Sequence, residues 1–245
     1  MAKHFRGGSA EHLPQVRGGE PAPPEGLPRQ RKAVTPQMHG RYPDWDVLSQ
    51  ADHWDEVTRK VVFERVENVP PFRFFDERER RALKPFCDTV TAQDSEPRIP
   101  VLSMVDAKLD AGELDGFQFA DMPDDRDTWR IVARGLDETA ADLGVEDFAS
   151  ASPDVQRQIV GRFANGELSG GSWDEVNVSE AWSVVTRAIL AAFYSHPWAW
   201  NEIGFGGPAY PRGYAAIGPG GTEHWEPAPA FDVDPVVDVQ ERGLE

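Results

Sequence analysis

The sequence predicts a mainly α-helical protein: an irregular helical bundle with an extended Pro/Gly-rich N-terminal arm and an aromatic, Gly/Pro-rich C-terminal segment. Two observations predict this fold class. Apolar residues recur at the three- and four-residue spacing of a helix in successive stretches of the chain. No stretch of useful length alternates between apolar and polar residues, which is the pattern of a half-buried strand.

The first two predicted helices begin at aspartate residues, which cap helices well because a carboxylate accepts the free N–H groups of the first turn. Asp52 is expected to cap a helix over about 53–67. The apolar surface of this helix is expected to come from Trp54, Val57, Val61 and Phe63. Asp76 is expected to cap a second helix that runs to about residue 92. Pro85, in the middle of that second pattern, predicts a kink or a break.

Four further helices are predicted, over about 101–112, 124–143, 153–163 and 179–195. Gly144 is expected to end the 124–143 helix. Ser152-Pro153 combines a capping residue with a proline at the first helical position, an order that is typical of a helix start. Ser179 is expected to cap the last helix, which is the most apolar.

Charge is unevenly distributed along the 245 residues, whose formal net charge is −17. Residues 1–43 hold seven Lys or Arg and three Glu, a net charge of +4, so the remaining residues carry −21. An acidic body repels phosphate, which argues against a nucleic-acid partner. We expect 1–42 to be a disordered or partner-wrapping arm, 43–215 a helical domain, and 216–245 an acidic extended tail.

The composition also limits the cysteine chemistry and the cellular location that we expect. The single cysteine, Cys87, excludes an internal disulfide and a thiolate metal cluster. No run of about 20 apolar residues is present, so no membrane insertion is expected. The N-terminus has neither the apolar stretch of a secretory signal nor a twin-arginine signal, which predicts a cytoplasmic protein.

No self-contained active site is visible in the sequence. The six histidines include no HExxH pair, and there is no phosphate-binding loop, dinucleotide fingerprint or nucleophile elbow. His196 precedes Glu202 by six residues, but two ligands make a poor metal site. We therefore predict no catalytic residue, no bound cofactor and no metal on this chain.

The most distinctive stretch is His196–Tyr214, in which large aromatic residues alternate with Gly and Pro. Aromatic residues and arginine are enriched where protein interfaces are buried. We predict that a partner is contacted by Trp198, Trp200, Asn201, Glu202, Phe205, Tyr210, Arg212 and Tyr214. Three alternatives stay open. These aromatics close the chain's own core, or the segment serves a free-standing enzyme, through His196 and Glu202, or a small-molecule-binding module.

The same stretch resembles the gluconate 2-dehydrogenase subunit 3 family. The resemblance rests on Phe193-Tyr194-Ser195-His196-Pro197, on Trp200–Pro208 and on Tyr210-Pro211-Arg212-Gly213-Tyr214, with weaker support back to about residue 70. Members are small helical subunits that accompany large flavin-dependent dehydrogenases of the glucose–methanol–choline type.

The resemblance implies a function through a partner. The chain would be a non-catalytic small subunit that binds and stabilises a flavoprotein oxidising a sugar or alcohol, with FAD on the partner and none on this chain. A cytochrome or another electron acceptor is a possible third component. Family members commonly begin with a twin-arginine signal, and its absence here predicts a cytoplasmic version of the complex.

Overall fold

The computed structural model describes residues 42, 45–94, 96–113, 118–216 and 221–227. Within these residues the chain forms seven α-helices and two 3-10 helices and no β-strand, which confirms the predicted mainly α fold. The chain divides into two compact units. The first unit comprises the described residues up to Asn68 and from Ser195 onward, and the second comprises Val69–Tyr194. The expected arm and most of the expected acidic tail lie outside the described residues.

The second unit is a helical bundle. Its elements are α2 (Glu77–Val90), α3 (Val101–Asp110), α4 (Asp125–Asp142), α5 (Pro153–Ala164), a 3-10 helix (Gly171–Glu175) and α6 (Val178–Tyr194). Helices α2 and α6 each pack against α3, α4 and α5. Large side chains with almost no exposed surface fill the space between them, namely Leu83, Phe86, Trp129, Leu136, Phe148, Ile159, Phe163 and Ile189.

Two of the three capping residues predicted for this unit, Asp76 and Ser152, begin their helices as expected. Asp76 and Glu79 form a reciprocal capping box at α2. The Ser152 hydroxyl accepts the Val155 N–H at the start of α5. The predicted cap of α6 was wrong, because Ser179 lies inside the helix and the Asn177 side chain accepts the Glu180 N–H instead.

Pro85 does not break α2, which runs without interruption from Glu77 to Val90. Proline removes one backbone hydrogen bond. Residues on both sides of it, Leu83, Phe86 and Cys87, are buried in the core and hold the helix together across that position. Burial also raises the pKa of the Cys87 thiol well above its ordinary value, as expected for a cysteine that acts as a small apolar side chain.

Two buried polar contacts fix the geometry of the second unit. Asp106 on α3 is fully buried, and its carboxylate accepts the N–H groups of Arg73 at 2.7 Å, Phe74 at 3.1 Å and Phe75 at 2.8 Å. The indole N–H of Trp173 donates to the Gly135 carbonyl at 3.1 Å and to the Thr139 hydroxyl at 2.9 Å. Each contact joins a loop or a 3-10 helix to a helix that is distant in sequence.

The first unit contains a 3-10 helix (Val47–His53), α1 (Glu56–Glu67) and α7 (Pro197–Ile203). The prediction of a single helix from Asp52 was wrong. Asp46 caps the 3-10 helix, and Asp55 caps α1 through the Thr58 N–H at 2.9 Å. The predicted apolar face was also shifted, since Val57 and Val61 are exposed while α1 buries Val62 and Val66. In the described part of the chain, no helix combines the length and the apolar character that crossing a bilayer requires.

Candidate functional site

The candidate site is the end of the first unit, from Ser195 to Ala216, which contains every residue predicted to contact a partner. A seven-residue helix, α7, occupies Pro197–Ile203, although the sequence did not suggest an ordinary helix there. The Nδ1 atom of His196 accepts the Trp198 N–H at 3.2 Å and so caps this helix. Gly204 ends it with φ of 70°, a left-handed conformation that favours glycine.

His196 is a structural residue in this arrangement. It is 1% exposed, and burial, together with the nearby charge of Arg65, lowers its pKa from 6.5 to about 4 despite a hydrogen bond with the Arg65 backbone. The imidazole is therefore neutral at pH 7. Arg65 itself donates to the Ser195 carbonyl at 2.8 Å. His196 and Glu202 stand at opposite ends of α7, roughly 9 Å apart along its axis at 1.5 Å per residue, so the helix does not bring them together as an acid/base pair.

Asn201 connects α7 to the 3-10 helix of the same unit. Its side-chain oxygen accepts the Val47 N–H at 2.7 Å, and its amide nitrogen donates to the Asp46 carboxylate at 3.4 Å. Asp46 is buried, and burial raises its pKa above the ordinary value although hydrogen bonds from Leu48 and Asn201 act in the opposite direction. A buried amide bonded at both ends fixes the position of its helix.

Trp200 lies in the apolar core of the first unit. It packs with Val47, Ala51, Trp54 and Val62. Phe205 is partly buried against this cluster, with its ring centroid 5.4 Å from that of Trp200 in an edge-to-face arrangement. Trp200 and Phe205 therefore anchor the candidate segment to the core of the first unit.

Three glycines in the segment are covered by aromatic rings of the same chain. A Cβ atom added to Gly204 would lie 2.3 Å from the Tyr42 ring, one added to Gly206 would lie 2.6 Å from the Trp225 ring, and one added to Gly207 would lie 2.8 Å from the Trp54 ring. Side-chain atoms do not approach a Cβ that closely. The absence of a side chain at these three positions therefore lets rings of the same chain approach the backbone closely.

Beyond Gly207 the segment turns toward solvent. Tyr210 is 66% exposed and Tyr214 is 56% exposed, and Ile203 at the end of α7 is 38% exposed. Arg212 lies between the two tyrosines and is partly buried. Its Nη1 atom donates to the Gln50 side-chain oxygen at 2.9 Å, and its guanidinium carbon lies 4.0 Å from the centroid of the Trp225 ring.

A short turn at residues 221–227 completes the site. Oε1 of the buried Glu223 accepts the N–H groups of Ala215 and, at 2.6 Å, of Ala216. Trp225, 4% exposed, covers Gly206 and lies beside Tyr214 at 5.5 Å between ring centroids. We did not predict Glu223 and Trp225 as part of the site, because residues 216–245 were assigned to the acidic tail. The tryptophan itself was the available signal, since a solvated acidic tail has little use for one.

The structure thus divides the eight residues predicted to contact a partner into two groups. Four are buried by the chain itself, namely Trp198, Trp200, Asn201 and Glu202. Phe205 and Arg212 are partly buried, and Tyr210 and Tyr214 are exposed. Of the eight, only Tyr210 and Tyr214 therefore expose more than half of their surface to solvent.

No group of three or more His, Cys, Asp or Glu residues is arranged to hold a metal ion within the described residues. A pocket of about 310 Å³ in the second unit is lined by Pro123, Asp127, Arg130, Ile131, Arg134 and Glu175. The Arg134 side chain there is held by both carboxylate oxygens of Glu175 at 3.1 Å. This pocket shares no residue with the 196–214 segment.

Comparison with known proteins identifies the family. No curated protein and no solved structure matches the chain. The family model for gluconate 2-dehydrogenase subunit 3 matches residues 77–207, which is more than half of the chain. The match runs from the capped start of α2 through α7 to Gly207, and so includes most of the segment on which the resemblance rests. The chain belongs to the gluconate 2-dehydrogenase subunit 3 family.

Proposed function

We propose that this chain is a non-catalytic small subunit that binds and stabilises a large flavin-dependent dehydrogenase of the glucose–methanol–choline type, acting on a sugar or an alcohol. Family membership supports the proposal, because the family takes its name from a subunit of a dehydrogenase. In this proposal FAD is bound by the partner, and electrons pass to a cytochrome or another acceptor outside this chain.

The observation that carries the proposal is the pair of exposed tyrosines on an otherwise well-packed segment. Tyr210 and Tyr214 are more than half exposed, while the segment below them is fixed by the Trp200 core, by Asn201 and by the turn that holds Trp225. Tyrosine combines a large apolar ring with a polar tip and loses little conformational freedom on binding. Exposed tyrosines on a rigid support are typical of a surface that a partner covers.

The test begins with identification of the partner. We expect the wild-type chain, purified from its native host, to carry with it a large flavoprotein that mass spectrometry identifies and whose FAD is visible by absorbance. Co-expression of the two chains should increase the yield, the FAD content and the melting temperature of the flavoprotein. A wild-type chain that purifies alone, or that oxidises sugars or alcohols without a partner, would contradict the proposal.

Substitutions then locate the contact surface. Tyr210→Ala and Tyr214→Ala should each weaken the complex by roughly 30-fold, equivalent to about 2 kcal/mol, and leave the stability of the isolated chain unchanged. Val57→Ala, on α1 of the same unit, is the matched control because Val57 is 70% exposed, about as much as Tyr210 at 66%. Trp200→Ala should behave in the opposite way and lower the stability of the isolated chain by roughly 3–5 kcal/mol. Equal binding by Tyr210→Ala, Tyr214→Ala and Val57→Ala would place the interface elsewhere.

A further inference from the structure

The guanidinium group of Arg212 is only partly satisfied by the chain itself. Nη1 is bonded to Gln50, and Trp225 lies against the guanidinium face. Nε and Nη2 are buried and have no hydrogen-bond acceptor among the described residues. Burial also lowers the pKa of Arg212 from its ordinary value, because the surroundings disfavour the positive charge.

Unsatisfied buried groups of this kind concentrate in the first unit. Besides Arg212, they include the second carboxylate oxygen of Asp46, the indole N–H of Trp54 and Nδ1 of His224. Among the described residues of the second unit, the one such atom is Nε of Arg98. Native proteins leave few buried polar groups unpaired, so each of these atoms calls for a partner that the described residues do not supply.

The two unsatisfied nitrogens of Arg212 lie on one edge of the guanidinium plane. Their two N–H bonds point in the same direction and match the two oxygens of a carboxylate. Arginine forms such two-bond pairs, whereas lysine offers a single point of charge. We propose that Arg212 anchors an aspartate or glutamate side chain of the partner subunit, between Tyr210 and Tyr214. This inference rests on the proposed function.

The acidic residues of the neighbouring turn are already engaged elsewhere. The Glu223 carboxylate accepts the N–H groups of Ala215 and Ala216, and the Glu226 carboxylate accepts the Glu223 N–H at 2.8 Å. The positive edge of Arg212 is therefore complementary to a carboxylate that arrives with another chain. Access to it requires the arginine to release the hydrogen bond to Gln50 or to slide on the Trp225 ring, since both unsatisfied nitrogens are covered in the isolated chain.

The test compares three variants of the full chain in binding to the co-purified flavoprotein. Arg212→Met keeps the length of the side chain and removes its charge, and it should weaken binding at least 30-fold and flatten the salt dependence of binding. Arg212→Lys keeps the charge and loses the paired N–H groups, and it should weaken binding about tenfold. Arg59→Met is the control, because Arg59 also lies over an aromatic ring, that of Phe63, in the same unit and is 55% exposed.

Urea unfolding of the isolated variants separates an anchoring role from a structural one. Arg212→Met should unfold at the same urea concentration as the wild type or at a higher one, because it removes a buried charge that has no carboxylate partner in the isolated chain. A lower midpoint, with normal binding by the molecules that remain folded, would overturn the inference. Normal binding by both Arg212 variants would also overturn it and leave the proposed function standing, whereas a wild-type chain that binds no flavoprotein removes the proposed function itself.

One further variant tests whether the chain supplies the carboxylate itself. The sequence after Pro227 contains Asp232, Asp234 and Asp238. A chain ending at Pro227 should bind the flavoprotein as tightly as the full chain and remain sensitive to Arg212→Met. If the shortened chain loses that sensitivity, the carboxylate belongs to its own C-terminal residues, which would overturn the inference.

Discussion

Two glycines in the middle of helices should respond in opposite directions to the same substitution. Gly135 lies in α4 and Gly161 lies in α5. A Cβ atom on Gly135 would lie 2.5 Å from the Trp173 ring, about 1 Å inside ordinary contact, whereas a Cβ on Gly161 would have no neighbour within 4 Å. Alanine favours a helix over glycine by about 1 kcal/mol at both positions.

The loss of stability expected for Gly135→Ala depends on how tightly Trp173 is held in place. The ring is 2% exposed, its single N–H is shared between the Gly135 carbonyl and the Thr139 hydroxyl, and its centroid lies 4.8 Å from that of the Phe163 ring. Forcing it aside costs about 1–3 kcal/mol for overpacking and about 1 kcal/mol for the weakened hydrogen bonds. After the gain in helix propensity, Gly135→Ala should destabilise the second unit by about 1–3 kcal/mol. Gly161→Ala should stabilise it by about 0.5–1 kcal/mol.

Urea unfolding followed by far-ultraviolet circular dichroism measures both changes, because most of the described helical residues lie in the second unit. The slope of the transition should stay constant, which would show that each variant changes stability and not the extent of unfolding. Equal stabilisation by both substitutions would refute the reasoning, since it would mean that Trp173 does not occupy the space above Gly135.

Two further predictions concern buried polar groups. Asp106→Ala should destabilise the second unit by roughly 3–5 kcal/mol because it leaves three backbone N–H groups without an acceptor, while Asp110→Ala, at the exposed end of the same helix, should have little effect in the same urea assay. His196 should make the first unit less stable below pH 6.5, because its folded pKa of about 4 lets the unfolded chain take up a proton first. This stability is fully present above pH 6.5 and is lost down to about pH 4, by about 3 kcal/mol in total. His196→Asn keeps a capping side chain and should lose this part of the pH dependence, and an unchanged pH profile would show that folding does not lower the pKa of His196.

The sequence predicted the helices well where several signals agreed. In α2, α4 and α5 the capping residue, the apolar spacing and the ends agreed with one another, and the structure places each helix within about two residues of its predicted bounds. The prediction failed before α1, where Asp46, Asp52 and Asp55 are three candidate caps within ten residues. A short 3-10 helix shares its capping chemistry with an α-helix, so composition alone does not show which aspartate begins which element.

The sequence drew attention to the 196–214 segment, but it did not distinguish the buried side chains of the segment from the exposed ones. Glycine beside large aromatics is the composition both of an interface and of a segment that packs closely on itself. The rings that cover the three glycines show that this part of the segment packs on its own chain. Two of these rings, those of Tyr42 and Trp54, precede the segment by about 150 residues. Contacts over such a separation in sequence leave no periodic pattern, so neither they nor the role of Trp225 could be predicted from the sequence.

These long-range contacts have a consequence for how the proposed interface is supported. The family match begins at residue 77, yet Tyr42, Val47 and Trp54, which pack against Gly204, Gly207 and Trp200, all lie before it. The exposed Tyr210 and Tyr214 lie after the match ends and depend on that packing for their position. The proposed contact surface therefore combines residues inside the stretch that the family model matches, such as Trp200, with residues on both sides of it.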